Sequence, residues 1–138
     1  MWGQVANQDF LRVNVHDPKY ARVQCVLLDP SCSGSGIARD ITRLLDAPVD
    51  DAAHLDRVQK LQGFQSKCLA RAAEFPGVQC VAYSTCSVHS QENEEVVRRF
   101  LASAVGQQFE LRAPDGLASW PRRGIRCNDN NSSPSNPS

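Results

Sequence analysis

A chain of 138 residues with 15 Lys and Arg against 15 Asp and Glu carries no formal net charge. No global basic field therefore marks a nucleic-acid binder, and no acidic excess marks a solvating tail. The length allows one domain, and 41% apolar content supports a packed core.

Met1-Trp2-Gly3-Gln4-Val5-Ala6-Asn7-Gln8-Asp9 lacks the charged and apolar regions of a secretory signal. No apolar run approaches the roughly 18 residues of a membrane span. Six cysteines without an export signal point to a reduced, intracellular protein rather than a disulfide scaffold. None forms a C-x-x-C pair, which argues against a structural zinc ribbon.

In chain order, Asp9-Phe10-Leu11-Arg12-Val13-Asn14-Val15 reads as a short strand or the lead-in to one. His16-Asp17-Pro18-Lys19-Tyr20 is turn chemistry, with Pro18 pushing Asp17 out of helical geometry. Gln24-Cys25-Val26-Leu27-Leu28 is too short and too apolar for a surface helix and suits a strand covered on both faces. Ser31 to Gly36 is a loop. Asp50 or Asp51 is expected to cap a long helix running to about Phe75. Its apolar stripe is Leu55, Val58, Leu61, Phe64, Cys68, Ala72 and Phe75, and Pro76-Gly77 stops it.

Val78-Gln79-Cys80-Val81-Ala82-Tyr83 is a second strand, followed by Ser84-Thr85-Cys86-Ser87. Ser90 is the expected cap of the next helix, with Glu92, Glu94 and Glu95 at its positive end. Val96, Val97, Phe100, Leu101 and Ala104 form that helix's buried face. Strand, helix, strand, helix makes one α/β unit, with the strands parallel and joined by a crossover. Beyond Gly106, Trp120-Pro121-Arg122-Arg123-Gly124 is the distinctive cluster. Residues 128–138 are almost wholly Asn, Ser and Pro and are expected to be disordered.

Reactive groups of parallel sheets gather beyond the carboxyl ends of the strands. There Cys32 and Cys86 are expected together, with Asp29 beside them. A thiolate attacks well only if its pKa falls, which backbone amides at a helix start can bring about. Gly34 and Gly36 free the first loop for close backbone approach. Cys25, Cys80 and Cys68 read as core, and Cys127 as incidental.

Gly34-Ser35-Gly36 is no dinucleotide fingerprint, because Arg39 stands where a third glycine is needed. The chain also lacks the Gly-Lys-Ser/Thr of a phosphate loop. His89 can orient Cys86, but a solvated loop histidine is the favoured reading. Trp120 with Arg122, Arg123 and Arg126 can stack on and clamp RNA. A packed tryptophan beside solvated charge explains them equally well.

Leu28-Asp29-Pro30-Ser31-Cys32-Ser33-Gly34-Ser35-Gly36 and Tyr83-Ser84-Thr85-Cys86-Ser87, followed by Glu92-Asn93-Glu94, resemble the paired cysteine motifs of the NOP/Sun RNA cytosine-5 methyltransferases. The Pro-Ser-Cys spelling, with Gly63-Phe64-Gln65 and Trp120-Pro121, is most similar to the fifth Sun-domain subgroup. The resemblance runs from Asp9 to Gly124.

It implies transfer of a methyl group from S-adenosylmethionine to carbon 5 of cytosine in RNA, with ribosomal RNA the expected substrate and the nucleolus of the nucleus the expected location. By the same resemblance Cys86 is the nucleophile that adds to carbon 6, and Cys32 assists release of the adduct. Asp29 contacts both cytosine and cofactor, and Asp9 approaches the cofactor's adenine. Arg122 and Arg123 are the RNA-binding candidates. Neither a metal nor a membrane is expected.

The implied fold is an incomplete Rossmann-like methyltransferase fold, the C-terminal half of a catalytic domain over residues 1–127, with residues 128–138 as a tail. A complete domain of that kind has a first strand, a Gly-rich turn and an acidic residue ending the second strand. None of these features precedes Asp9 in this sequence. A partial parallel sheet is expected to leave an unpaired edge and an uncovered face. The rival reading is a catalytically inactive fragment that binds RNA or protein. A thiol hydrolase built on Cys86 and His89 is a third.

Overall fold

Two short strands organise the chain. Strand β1 (Cys25–Leu28) and strand β2 (Cys80–Tyr83) pair in parallel, with Cys25 opposite Cys80 and Leu28 opposite Tyr83. Further backbone bonds prolong the ladder, from Gln79 and Cys80 to the Gln24 carbonyl and from Ser84 to the Leu28 carbonyl. Helix α1 (Ala52–Ala73) stands between the strands in sequence, and helix α2 (Glu94–Leu101) follows β2. The expected α/β order is therefore present.

This computed structural model describes residues 3, 5–37, 52–117 and 119–120. The expectations attached to Arg39, Asp50, Asp51, Arg122, Arg123, Arg126, Cys127 and residues 128–138 lie outside the described residues.

One face of the sheet builds the main core. Leu28, with Val26, Val81 and Tyr83, packs against Cys68, Leu69 and Ala72 of α1 and Val96 of α2. Strand alternation sends Cys25, Leu27, Cys80 and Ala82 to the opposite face, where all four are exposed, Leu27 to 78%. The expectation of strands covered on both faces, with Cys25 and Cys80 in the core, is thus corrected. No described element packs on that second face.

The inward face of α1 also differs from the expected stripe. It follows Val58, Gln62, Gln65, Leu69 and Ala72, at three- and four-residue steps, with Cys68 alongside. Leu55 and Phe64, both assigned to the stripe from sequence, are 46% and 39% exposed. Two buried glutamines hide this face from a purely apolar reading. Phe75 is buried past the helix end, as expected.

Phe75 anchors a second cluster with Val13 and Val15. Phe10 stacks on it with ring centroids 6.4 Å apart, and Tyr20 meets it edge-on at 5.5 Å. The segment leading into β1 is not a strand. Asp9 caps a 3-10 turn over Phe10–Arg12, its Oδ1 accepting the Leu11 N–H. Val13 and Val15 then bury against Phe75 without joining a ladder.

A second 3-10 turn, Pro18–Tyr20, follows Asp17, whose extended ψ of 130° is what Pro18 demands. Ser90 does not cap α2. It opens a 3-10 turn (Ser90–Glu92), and Asn93 takes the N-cap position. Val96 is fully buried, whereas Ala104 lies exposed beyond the helix end.

Candidate active site

The parallel register brings both strands out of the sheet side by side, so the loops after Leu28 and Tyr83 share one edge. Cys32 Sγ and Cys86 Sγ lie 3.0 Å apart there, a hydrogen-bonded pair of free thiols. Cys86 is exposed and Cys32 half-buried. Between the strand ends, the Ser84 hydroxyl donates to Asp29 Oδ1 at 2.9 Å. Both sequence-predicted cysteines and Asp29 therefore meet at the expected edge.

Glycine makes this closeness possible. The chain turns at Gly34, with φ of +71°, and the Gly36 N–H then donates to the Cys86 carbonyl at 2.8 Å. A Cβ at Gly36 would sit 2.9 Å from that same oxygen, closer than carbon and oxygen tolerate. The hydroxyls of Ser33, Ser35 and Ser87 cluster between the loops at 3.0, 3.2 and 3.3 Å. Ser35 Oγ also accepts the Val88 N–H, and Ser87 Oγ accepts the His89 N–H.

Beneath the thiols lies a buried carboxylate. Glu92 was expected at a helix start; it is instead fully buried. Its Oε1 accepts the Ser33 N–H and the Gln65 amide, both at 2.9 Å, and its Oε2 accepts the Ser87 hydroxyl at 2.6 Å. Burial pushes the Glu92 carboxyl up, but the bonds from Ser33, Ser87 and Gln65 outweigh it and hold the group below the usual carboxylate value. Gln65 also donates to the Ser31 carbonyl, and the Tyr83 hydroxyl donates to the Glu92 carbonyl. Burial raises the Tyr83 phenol, with Glu92, Cys32 and Cys68 adding to the effect.

Asn93 spends its side chain on the Cys86 loop rather than on capping. It accepts from the Thr85 hydroxyl and donates to the Ser87 carbonyl. Sequence reasoning missed the work of Gln65, Glu92 and Asn93 in this site. The available signal was a pair of glutamines at helical spacing and the Glu92-Asn93 pair just before α2.

The expected lowering of a thiol pKa is not found. The Cys86 thiol is raised, first by its hydrogen bond with Cys32, then by desolvation and by the neighbouring Cys32 and Asp29 charges. His89 Nε2 lies 3.2 Å from His54 Nε2, on the first turn of α1. No described hydrogen bond joins His89 to Cys86, the pair on which the hydrolase reading depends. Asp9 is tied into its own turn, with Arg12 at 3.9 Å, and no described contact joins it to Asp29 or the thiols. Trp120 is 58% exposed, so it is not a packed core residue.

Among the described residues, no group of three or more His, Cys, Asp or Glu is arranged to hold a metal ion. No helix among them is long and apolar enough to cross a membrane.

The profile of the 16S rRNA methyltransferase RsmB/F family matches residues 3–118. The 28S rRNA (cytosine-C(5))-methyltransferase of Mus musculus is 41% identical over 122 residues, which is 88% of this chain and 25% of that protein. The 25S rRNA (cytosine-C(5))-methyltransferase NSUN5 of Arabidopsis thaliana is 44% identical over 126 residues, covering 88% of this chain and 22% of the relative. For the 25S rRNA (cytosine-C(5))-methyltransferase rcm1 of Schizosaccharomyces pombe the identity is 39%, over 88% of this chain and 26% of the relative. The chain thus spans about a quarter of the length of these relatives. Its paired cysteine loops lie inside the matched region, and the chain belongs to the RsmB/F family of rRNA methyltransferases, in the NSUN5-type subgroup.

Proposed function

We propose that this chain supplies the two-cysteine part of an S-adenosylmethionine-dependent RNA (cytosine-5)-methyltransferase acting on ribosomal RNA in the nucleolus. The observation that carries the reading is the pair of thiols at 3.0 Å beside the Asp29 carboxylate. Residues 1–127 are then part of a Rossmann-like catalytic domain, with 128–138 as its tail.

Carbon 5 of cytosine is a poor nucleophile. When the Cys86 thiolate adds to carbon 6, the ring becomes enamine-like and carbon 5 can take a methyl group. Cys86 is exposed, so its thiol loses its proton to solvent before the attack. After methylation, carbon 5 must lose its proton as the bond from carbon 6 to sulfur breaks. Cys32, as its thiolate, assists that release by accepting the carbon-5 proton, and the Cys86 thiolate leaves. Asp29 accepts the N–H of the protonated ring in the adduct and stabilises it.

S-adenosylmethionine, when bound, supplies the electrophilic methyl group. An exposed carboxylate at the carboxyl end of β1 suits its cationic methionine end, so Asp29 fits this neighbourhood. Asp9 keeps a half-exposed carboxylate in the turn ahead of β1; its role toward the adenine rests on the resemblance alone. RNA contacts by Arg122 and Arg123 belong to the same reading.

The test is a chimera in which this chain replaces the matching quarter of the Mus musculus relative. Given cofactor and ribosomal RNA, bisulfite sequencing should find 5-methylcytosine. A folded chimera that leaves the RNA unmethylated contradicts the reading.

A further inference from the structure

Glu92 joins three separate parts of the chain at one carboxylate. The Ser33 N–H comes from the residue after Cys32, the Ser87 hydroxyl from the residue after Cys86, and the Gln65 amide from the middle of α1. Burying a carboxylate is costly unless it is fully hydrogen-bonded. Glu92, with no exposed surface, makes those bonds to the two thiol loops and to the helix that braces them. Gln65 spends both amide hydrogens on this arrangement, on Ser31 O and Glu92 Oε1, while its own Oε1 is buried without a partner. An apolar residue at position 92 could fill the same space without that cost. It could not tie the loops together.

We propose that Glu92 is a positioning residue, which fixes the separation of Cys32 and Cys86 by holding both of their loops on one buried carboxylate. The carboxylate touches neither sulfur. It acts through Ser33 and Ser87, and Gln65 sets its height against α1. The purpose of that separation rests on the roles proposed above for Cys86 and Cys32, but the geometry is testable without them.

The readout is disulfide trapping in the chain itself. Diamide takes two hydrogens from a pair of thiols, oxidising them to one disulfide and itself becoming a hydrazine. Peptide mapping by mass spectrometry then follows the link between Cys32 and Cys86, apart from any involving Cys25 or Cys80. Wild-type protein should form this link readily. Glu92→Gln, which turns an amide N–H₂ on Ser33 or Ser87, should slow it on the order of tenfold, because small misplacements of reacting atoms cost rate steeply.

Ser87→Ala, which removes one donor, should slow it less. Val96→Ala loosens the same core without touching either loop, and should keep the wild-type rate while lowering the melting temperature. If Glu92→Gln and Ser87→Ala, both folded by circular dichroism, link at the wild-type rate, the proposal is overturned. If Glu92→Gln does not fold, Ser87→Ala decides alone, and a wild-type rate there overturns it.

Within the chimera, Glu92→Gln should lower kcat and leave KM for the cofactor unchanged. Slowed linking together with normal methyl transfer by a Cys86→Ser chimera would mean that the thiol roles fail while the positioning stands.

Discussion

Cys32 and Cys86 are separated by 54 positions in sequence, yet their sulfurs stand 3.0 Å apart and share a hydrogen bond. Parallel pairing of β1 and β2 supplies the coarse approach by aligning Leu28 with Tyr83. The bond from the Gly36 N–H to the Cys86 carbonyl, and the bonds converging on Glu92, supply the rest. Each layer of this arrangement can be perturbed separately.

The nucleophile comes first. Cys86→Ser should abolish methyl transfer by the chimera, because a serine hydroxyl is scarcely ionised near neutral pH while a thiol can be. Incorporation of labelled methyl into ribosomal RNA measures this. Unchanged turnover would remove Cys86 from the role.

Ionisation of Cys86 depends chiefly on Cys32, whose hydrogen bond is the largest cause of the raised thiol pKa. Removing that partner should lower the pKa. Cys32→Ala is therefore expected to speed iodoacetamide alkylation of Cys86 at neutral pH and to move its pH profile towards acid. A profile that stays in place, or moves towards alkali, would show that Cys32 does not control the thiol.

The two loop glycines should respond differently. Gly36→Ala drives a Cβ against the Cys86 carbonyl oxygen and should cost about 1–3 kcal/mol as the loops separate. Gly34→Ala has open space around it and meets only left-handed backbone strain, about 1–2 kcal/mol. Urea unfolding measures both. Diamide linking of Cys32 to Cys86 should slow in Gly36→Ala alone, and equal rates would show that Gly36 does not set the approach of the loops.

Acid should loosen the site through Glu92. Its folded pKa lies below the ordinary value of 4.5, so its stabilisation is fully present above that pH. It is lost as pH falls through the folded value. Glu92→Gln should therefore flatten the fall of stability with pH below about 4.5. Equal slopes in wild type and variant, followed by urea unfolding across that range, would contradict the assignment.

Local sequence signals located the strands, the long helix and the thiol edge, because short apolar runs, a Pro-Gly stop and the crossover rule each act over few residues. They mislaid Cys25 and Cys80, since an apolar run says a strand is buried without saying on how many faces. Gln62 and Gln65 were passed over for the opposite reason: the side-chain amides on the inward face of α1 donate to partners 27 to 34 residues away. Glu92 looked like a helix-start charge because its neighbours Glu94 and Glu95 are in the first turn of α2. Its burial is a tertiary fact. Asp9 and His89 carried plausible chemistry in one dimension and found other partners in three, their own turn and His54.

The central claim is a division of labour between the two thiols, and covalent trapping tests it most directly. In the chimera, Cys32→Ala should still allow Cys86 to add to carbon 6 while impairing release. A protein–RNA adduct should therefore accumulate and survive denaturing electrophoresis, and Cys32→Ala combined with Cys86→Ser should show none. An adduct in Cys86→Ala instead would reverse the roles, and the absence of any adduct from a folded Cys32→Ala chimera would contradict the account.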